Sequence, residues 1–405
     1  MRILHTSDWH LGQHFMGKTR LDEHTAFLDW LVEQVNRHEV DALLVAGDIF
    51  DTGTPPSYAR ELYHNFVVAM SRTGASLVLL GGNHDSVAML NESRELLGAL
   101  NVRVIPGALA EPEQQLITLA NRRGEPAAVL CAIPFLRPRD LLESRAGDSA
   151  DDKGRALQQA IAGHYQQLFE QAQARRVELG GELPIVATGH LTTVGASSSD
   201  SVREIYIGTL EAFPASAFPA ADYIALGHIH RPQKVAGCEH IRYSGSPLAL
   251  GFDEAGQQKE VLLVELAPSG LQGVTPLPVP VFQPLARVSG SLTELERRLP
   301  EAAAAGTPER PVWLEVTVTE DDYLSDLQPR VQALCEELAV EVLLVRRGRR
   351  ERGATLMAEQ KETLSELTPE QVFERRLAAE ELAPDEATGL HGLYARVLAD
   401  LKEHA

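Results

Sequence analysis

Five short polar signatures punctuate this chain, and each ends an apolar run: Asp8-Trp9-His10, Gly47-Asp48-Ile49-Phe50-Asp51, Gly82-Asn83-His84-Asp85, Gly189-His190 and Gly227-His228-Ile229-His230. The runs before them, 2–5, 42–45, 76–80, 185–187 and 223–226, are short and rich in aliphatic residues, as buried strands are. Helix-length amphipathic stretches lie between them, at 24–36, 58–71 and 156–174. Strands alternating with helices predict a layered α/β domain. In such sheets ligands bind just past the carboxyl ends of strands, so the five loops are expected to converge on one edge.

A chain of 405 residues exceeds the usual single core, and 44% hydrophobic content suffices for a large one. Four prolines fall within 274–284, which favours an extended connector over a helix or a central strand. The expected division is a main domain over 1–275, a small α+β unit over 285–345, and a linker with a terminal helix pair over 346–405. In the small unit, helices are expected at 291–299 and 328–338, and strands at 312–319 and 341–345. It is too short to be a second enzyme. In the tail, Thr368-Pro369-Glu370-Gln371 fits a capping box with Pro at the first helical position, opening a helix that carries Val372, Phe373 and Leu377. A second start follows at Pro384. Leu390, Leu393, Tyr394, Val397, Leu398 and Leu401 then share one helical face, which either folds back on its own protein or docks on another chain.

Thirty-seven basic residues against 57 acidic ones give a formal net charge of −20, which disfavours loose, charge-driven binding to nucleic acid. Divalent ions could supply positive charge locally, however, and Arg346, Arg347, Arg349, Arg350 and Arg352 form a basic cluster, either a solvated linker or a DNA contact. Cys131, Cys238 and Cys335 are odd in number and far apart, so buried thiols are expected rather than disulfides or a zinc site. The first polar signature follows Met1 too closely for a signal peptide, and no long apolar span occurs. A cytoplasmic location is the expectation.

Asp, Asn and His are the donors that hold a pair of divalent ions able to polarise a phosphate and activate water. Asp8 and His10 are two apart, so on an extended chain both would point the same way, with Trp9 turned to the core. His228 and His230, flanking Ile229, repeat the arrangement. Gly47 and Gly82 permit sharp turns that expose Asp48 and Asn83. Any one such piece occurs often by chance; five in this order, each after an apolar run, make a run of costly polar groups that calls for a common role.

Asp8-x-His10, Gly47-Asp48, Gly82-Asn83-His84, Gly189-His190 and Gly227-His228-x-His230 resemble the calcineurin-like metallophosphoesterase superfamily over about residues 1–270. The opening 2–12, the Gly47-to-Asp51 form and the C-terminal additions resemble, within it, the nuclease subunits of bacterial DNA-repair complexes. That resemblance implies a layered phosphoesterase sandwich with a capping domain. One ion would be held by Asp8, His10, Asp48 and His230 and the other by Asp48, Asn83, His190 and His228, with Asp48 as the bridge. His84 would be the general acid and Asp51 the carboxylate that orients it, with Asp85 able to share that role or to cap a loop. Manganese is the implied metal, with magnesium or iron less favoured. The implied activity is exonucleolytic on duplex ends and endonucleolytic on single strands or hairpins, in repair, recombination and replication. The implied partners are DNA, a second nuclease subunit, and an ABC-type ATPase with a long coiled coil, two copies of each subunit assembling. A small-molecule or protein phosphatase and a non-catalytic DNA-end scaffold are the rival readings.

Overall fold

The structure, a computed structural model, describes residues 1–109, 111–142, 149–197, 202, 212–319, 327–348, 390 and 393. Two six-stranded sheets form its centre. The first runs in the order Gly270–Pro278, Glu260–Ala267, Arg2–Thr6, Ala42–Ala46, Ser76–Leu80, Val102–Ile105. The second runs Gln233–Lys234, Ile241–Tyr243, Tyr223–Gly227, Ile185–His190, Pro126–Cys131, Leu116–Ala120. Arg2–Thr6, Ala42–Ala46 and Ser76–Leu80 are mutually parallel in the first sheet, as are Ile185–His190 and Tyr223–Gly227 in the second, so all five strands that precede a polar signature point their carboxyl ends the same way within their sheet; Glu260–Ala267, inside the first sheet, runs antiparallel to Arg2–Thr6.

Side-chain alternation sorts each inner strand between two cores. Ile3, Leu44, Ala46, Val78 and Leu80 meet Leu130, Val186, Tyr223 and Ala225 between the sheets. Leu4, Leu43, Val45 and Leu79 turn the other way, onto helices Leu21–Arg37 and Ser57–Ser71. The long helix Ala150–Glu178 covers the outer face of the second sheet through Leu157, Ile161, Tyr165 and Leu168. Burial on both faces explains why these strands read as uninterrupted apolar runs. Helix Leu21–Arg37 carries Asp22 and Glu23 in its first turn and Arg37 in its last, each charge complementing the helix dipole.

The proline-rich stretch is extended, and its first part is a strand: Gly270–Pro278 pairs only with Glu260–Ala267, at the sheet edge where Pro276 and Pro278 forfeit no ladder bond. Beyond it, strands Leu285–Gly290, Val312–Val318 and Val340–Arg347 form a parallel sheet. Helices Leu292–Ala303 and Leu327–Cys335 connect them, the first opened by a capping box of Ser291 and Glu294. The strand Leu285–Gly290 was not among the expected elements; its exposed Arg287 and Ser289 break the apolar pattern. This unit meets the larger one through Phe15, Phe252 and Trp313, with Phe15 and Trp313 stacked at 5.7 Å, and through a Lys18–Glu341 ion pair. Of the basic cluster, Arg346 lies on the last strand and pairs with the buried Glu315 at 2.7 Å. Cys131 and Cys335 are buried, but Cys238 is only half-buried. Apart from Leu390 and Leu393, both helical and exposed, the expected tail helices lie outside the described residues.

Candidate metal centre

The loops after the five strands converge where the carboxyl edges of the two sheets meet. Asp8 N donates to the Gly47 carbonyl at 3.0 Å, and His10 N and Leu11 N donate to Asp48 and Ile49, at 3.0 and 2.9 Å. These bonds lock the first loop to the second. Trp9, between the two polar residues, is wholly buried in edge-to-face contact with Phe27 and Phe66, at 5.9 and 5.1 Å. Such pairs add about 0.5–1.5 kcal/mol each beyond area burial, so Trp9 anchors the loop that presents Asp8 and His10. Ile229 is likewise buried between His228 and His230.

The local backbone differs from the expected extended form. Asp8, His10, Asp48 and His228 all have left-handed backbones, with φ of 54°, 48°, 50° and 93°. Among the described non-glycine residues only four others share that sign. Left-handed backbone is costly for side chains with a Cβ and concentrates at functional sites. Asp8 and His10 therefore share a site because a braced turn puts them there, not because of strand alternation.

Ligand-type atoms of Asp8, His10 and His230 lie within 4.8 Å of one another, as do those of Asp48, His190 and His228 and those of His10, Asp48 and His84. Asp48 Oδ2 lies 3.7 Å from His10 Nε2 and 3.3 Å from His190 Nε2, so one carboxylate faces both sides of the cluster. Asn83 Oδ1 completes the second group, 2.9 Å from His190 Nε2 and 3.2 Å from His228 Nδ1. All seven expected ligands are brought together.

His190 Nδ1 donates to the Ala46 carbonyl at 2.9 Å, which directs its Nε2 at Asp48 and Asn83. Burial alone would discharge His190, but the Asp48 carboxylate lifts it to about 9. Burial likewise disfavours ionised Asp48, yet the imidazoles of His190, His10 and His84 hold it well below the usual carboxylate range. His228, by contrast, is pushed well down by burial and by His190. Asp48 thus retains positive charge at His190, whereas His228 is kept neutral. The Nε2 atoms of His10 and His228 are buried with no hydrogen-bond partner. Unpartnered imidazole nitrogens beside two buried carboxylates are the donor set of a divalent cation, and no cysteine is among them. The residues fit the expected ion pair.

His84 is half-buried at the rim, its ring 4.7 Å from that of His10. Its Nδ1 donates to the Asp51 main-chain carbonyl at 2.7 Å, while Asp51 Oδ1 accepts from His10 Nδ1 at 3.1 Å. Asp51 was expected to orient His84 through its carboxylate; its main-chain carbonyl holds His84, and its carboxylate reaches His10. Asp85 caps loops: its carboxylate accepts from Ile49 N, Phe50 N and Gly82 N at 3.1, 2.9 and 2.8 Å. Sequence reasoning missed Glu254, whose Oε1 lies 3.3 Å from His230 Nδ1. It sits in a one-turn 3-10 segment, Phe252–Glu254, with no spacing that ties it to the motifs.

The two-sheet sandwich and this cluster define a calcineurin-like phosphoesterase, and residues 1–232 match the profile of that family. Residues 281–381 match a domain described as the type 5 capsule protein repressor C-terminal domain. The chain is 54% identical over 401 residues to the SbcD component of the SbcCD nuclease of Escherichia coli strain K12, covering 99% of this chain and 98% of the relative. The corresponding protein of Rhodobacter capsulatus is 35% identical over 393 residues, 92% of this chain and 93% of the relative. That of Bacillus subtilis is 36% identical over 275 residues, 66% and 67%. The chain belongs to the SbcD family of nuclease subunits.

Proposed function

We propose that this chain is a manganese-dependent DNA phosphodiesterase, exonucleolytic on duplex ends and endonucleolytic on single strands or hairpins. It would work with an SbcC-type ABC ATPase, two subunits of each assembling, in DNA repair, recombination and replication in the cytoplasm. The observation that carries this reading is Asp48, whose one carboxylate faces His10 on one side and His190 on the other, between two clusters of nitrogen and oxygen donors. In the proposed assignment Asp8, His10 and His230 would hold one ion, Asn83, His190 and His228 would hold the other, and Asp48 would serve both. When bound, the ion pair polarises the scissile phosphate and lowers the pKa of the attacking water.

The chain's own residues do the rest. With Nδ1 of His84 donating to the Asp51 carbonyl, Nε2 is the nitrogen that delivers a proton to the leaving oxygen. Asp51 steadies His10 and, through its main chain, His84. Residues 285–345 act as a cap that limits which DNA reaches the centre, and the tail beyond 346 docks on the ATPase. The net charge of −20 places the burden of phosphate attraction on the ions.

Hydrolysis of end-labelled duplex DNA and of a phosphomonoester, each with and without Mn²⁺, tests this. Manganese-dependent release of nucleotides with little monoester hydrolysis is the expected result. Monoester hydrolysis without DNA cleavage would make the chain a phosphatase, and binding of DNA ends without hydrolysis of either would make it a scaffold.

A further inference from the structure

We propose that Glu254 is a positioning residue for His230, fixing the imidazole in the tautomer that presents Nε2 to the Asp8–His10 side of the centre. This rests on the metal-centre reading above. Glu254 is essentially sealed from solvent (1% exposed), and its Oε1 lies 3.3 Å from His230 Nδ1. An ionised carboxylate only accepts hydrogen bonds, so Nδ1 carries the hydrogen and Nε2 is left as the basic nitrogen. Oε2 is satisfied separately, by Lys259 Nζ at 2.6 Å and Leu250 N at 3.0 Å. The same Lys259 ammonium also donates to the His230 carbonyl at 3.1 Å and to Ser246 Oγ at 3.0 Å. His230 is thereby held at both ring and main chain by one buried ion pair.

Two donors on Oε2, the Lys259 ammonium and the Leu250 amide, mark Glu254 as an acceptor rather than a carboxylic acid. A buried ion pair is weak evidence for stability, because desolvation offsets much of the attraction. Its geometry here accounts for it better: a carboxylate behind a ligand imidazole fixes ring orientation and raises ligand basicity.

The test uses the full chain stripped of metal and titrated with Mn²⁺ by calorimetry. The wild type should bind in two steps. Glu254→Leu with Lys259→Met removes the acceptor without stranding the ammonium, and should weaken one step by roughly 10- to 100-fold while sparing the other. Glu254→Gln with Lys259→Met keeps an acceptor and should retain both steps. Equal behaviour of the two folded double variants, whether both intact or both weakened, would overturn the proposal. The ¹⁵N shifts of His230 in the metal-free wild type, assigned by difference from His230→Gln, read the tautomer without depending on either variant folding. A proton on Nδ1 is expected, and one on Nε2 alone would overturn the proposal. Failure of the wild type to bind Mn²⁺ in two steps would instead sink the metal-centre reading, which keeps the two failures distinct.

Discussion

The role proposed for His84, at the rim of the centre, is to move a proton and not to anchor the ions. His84→Gln should therefore lower the rate of DNA cleavage by about 10²- to 10⁴-fold while metal analysis of the dialysed protein still finds both ions. Loss of an ion would make His84 a ligand. A second residue-scale consequence lies behind the site. His5 is wholly buried, hydrogen-bonded to Tyr223 Oη at 2.9 Å and to the Leu226 carbonyl at 3.2 Å. Burial pushes its imidazole down to about 3, the Leu226 carbonyl pulling part of the way back. Below the ordinary value of 6.5 the unfolded chain takes up a proton that the folded chain refuses. The contribution is thus full above pH 6.5 and is lost as pH falls toward 3, at up to about 1.4 kcal/mol per pH unit. Urea titrations between pH 7.5 and 4.5 should show wild-type stability falling more steeply with acid than that of His5→Gln; equal slopes would contradict this. That Asp8, His10, Asp48, Asn83, His190, His228 and His230 would meet at one edge was legible from residue type and from their places after apolar runs, while their assignment to two ions came from the family resemblance. The left-handed backbone at Asp8 and His10 was not legible, because the bonds to Gly47, Asp48 and Ile49 that brace that turn come from a loop about forty residues away.

Where strand Tyr223–Gly227 ends, the two sheets approach so closely that a side chain at Gly227 would strike the Ala46 carbonyl, with His190 Nδ1 and Ser7 Cβ each 2.9 Å away. Gly227→Ala should therefore cost about 1–3 kcal/mol or more by overpacking and disturb the His190–Ala46 hydrogen bond that aims a ligand. Thermal unfolding and Mn²⁺ affinity, measured together, check both halves; a variant as stable and as tight-binding as the wild type would refute this close approach. At the element scale the long helices and the five strands that precede a polar signature were legible, while the other seven strands of the two large sheets were not named. Helices expected at 24–36, 58–71 and 156–174 occur at Leu21–Arg37, Ser57–Ser71 and Ala150–Glu178, because their apolar faces and the strands they cover are set by period alone. Strand Leu285–Gly290 escaped because it is short and half-exposed, and strand Gly270–Pro278 because its prolines, tolerable only at an edge, read as a connector.

At the scale of the whole molecule, the centre exists only because loops from both sheets meet at one edge, while the small unit attaches through Phe15, Phe252 and Trp313. The proposed docking on a partner rests on the apolar face read in the tail, of which Leu390 and Leu393 are exposed on a helix. Burying a leucine is worth about 1.5–3 kcal/mol, so Leu393→Glu with Leu398→Glu should abolish co-purification with the ATPase and ATP-stimulated cleavage of duplex ends. Activity of the isolated chain should persist. Unchanged co-purification, or loss of the phosphoesterase fold, would make the stripe an internal packing face. The central claim is that one carboxylate, Asp48, is shared by two metal ions, and anomalous diffraction from crystals soaked in Mn²⁺ measures this most directly. Two peaks flanking the Asp48 carboxylate are expected, one beside Asp8, His10 and His230 and one beside Asn83, His190 and His228, with both lost or weakened in Asp48→Asn, whose side chain tolerates the same left-handed backbone. A single peak, or two peaks that survive that substitution undiminished, would contradict it.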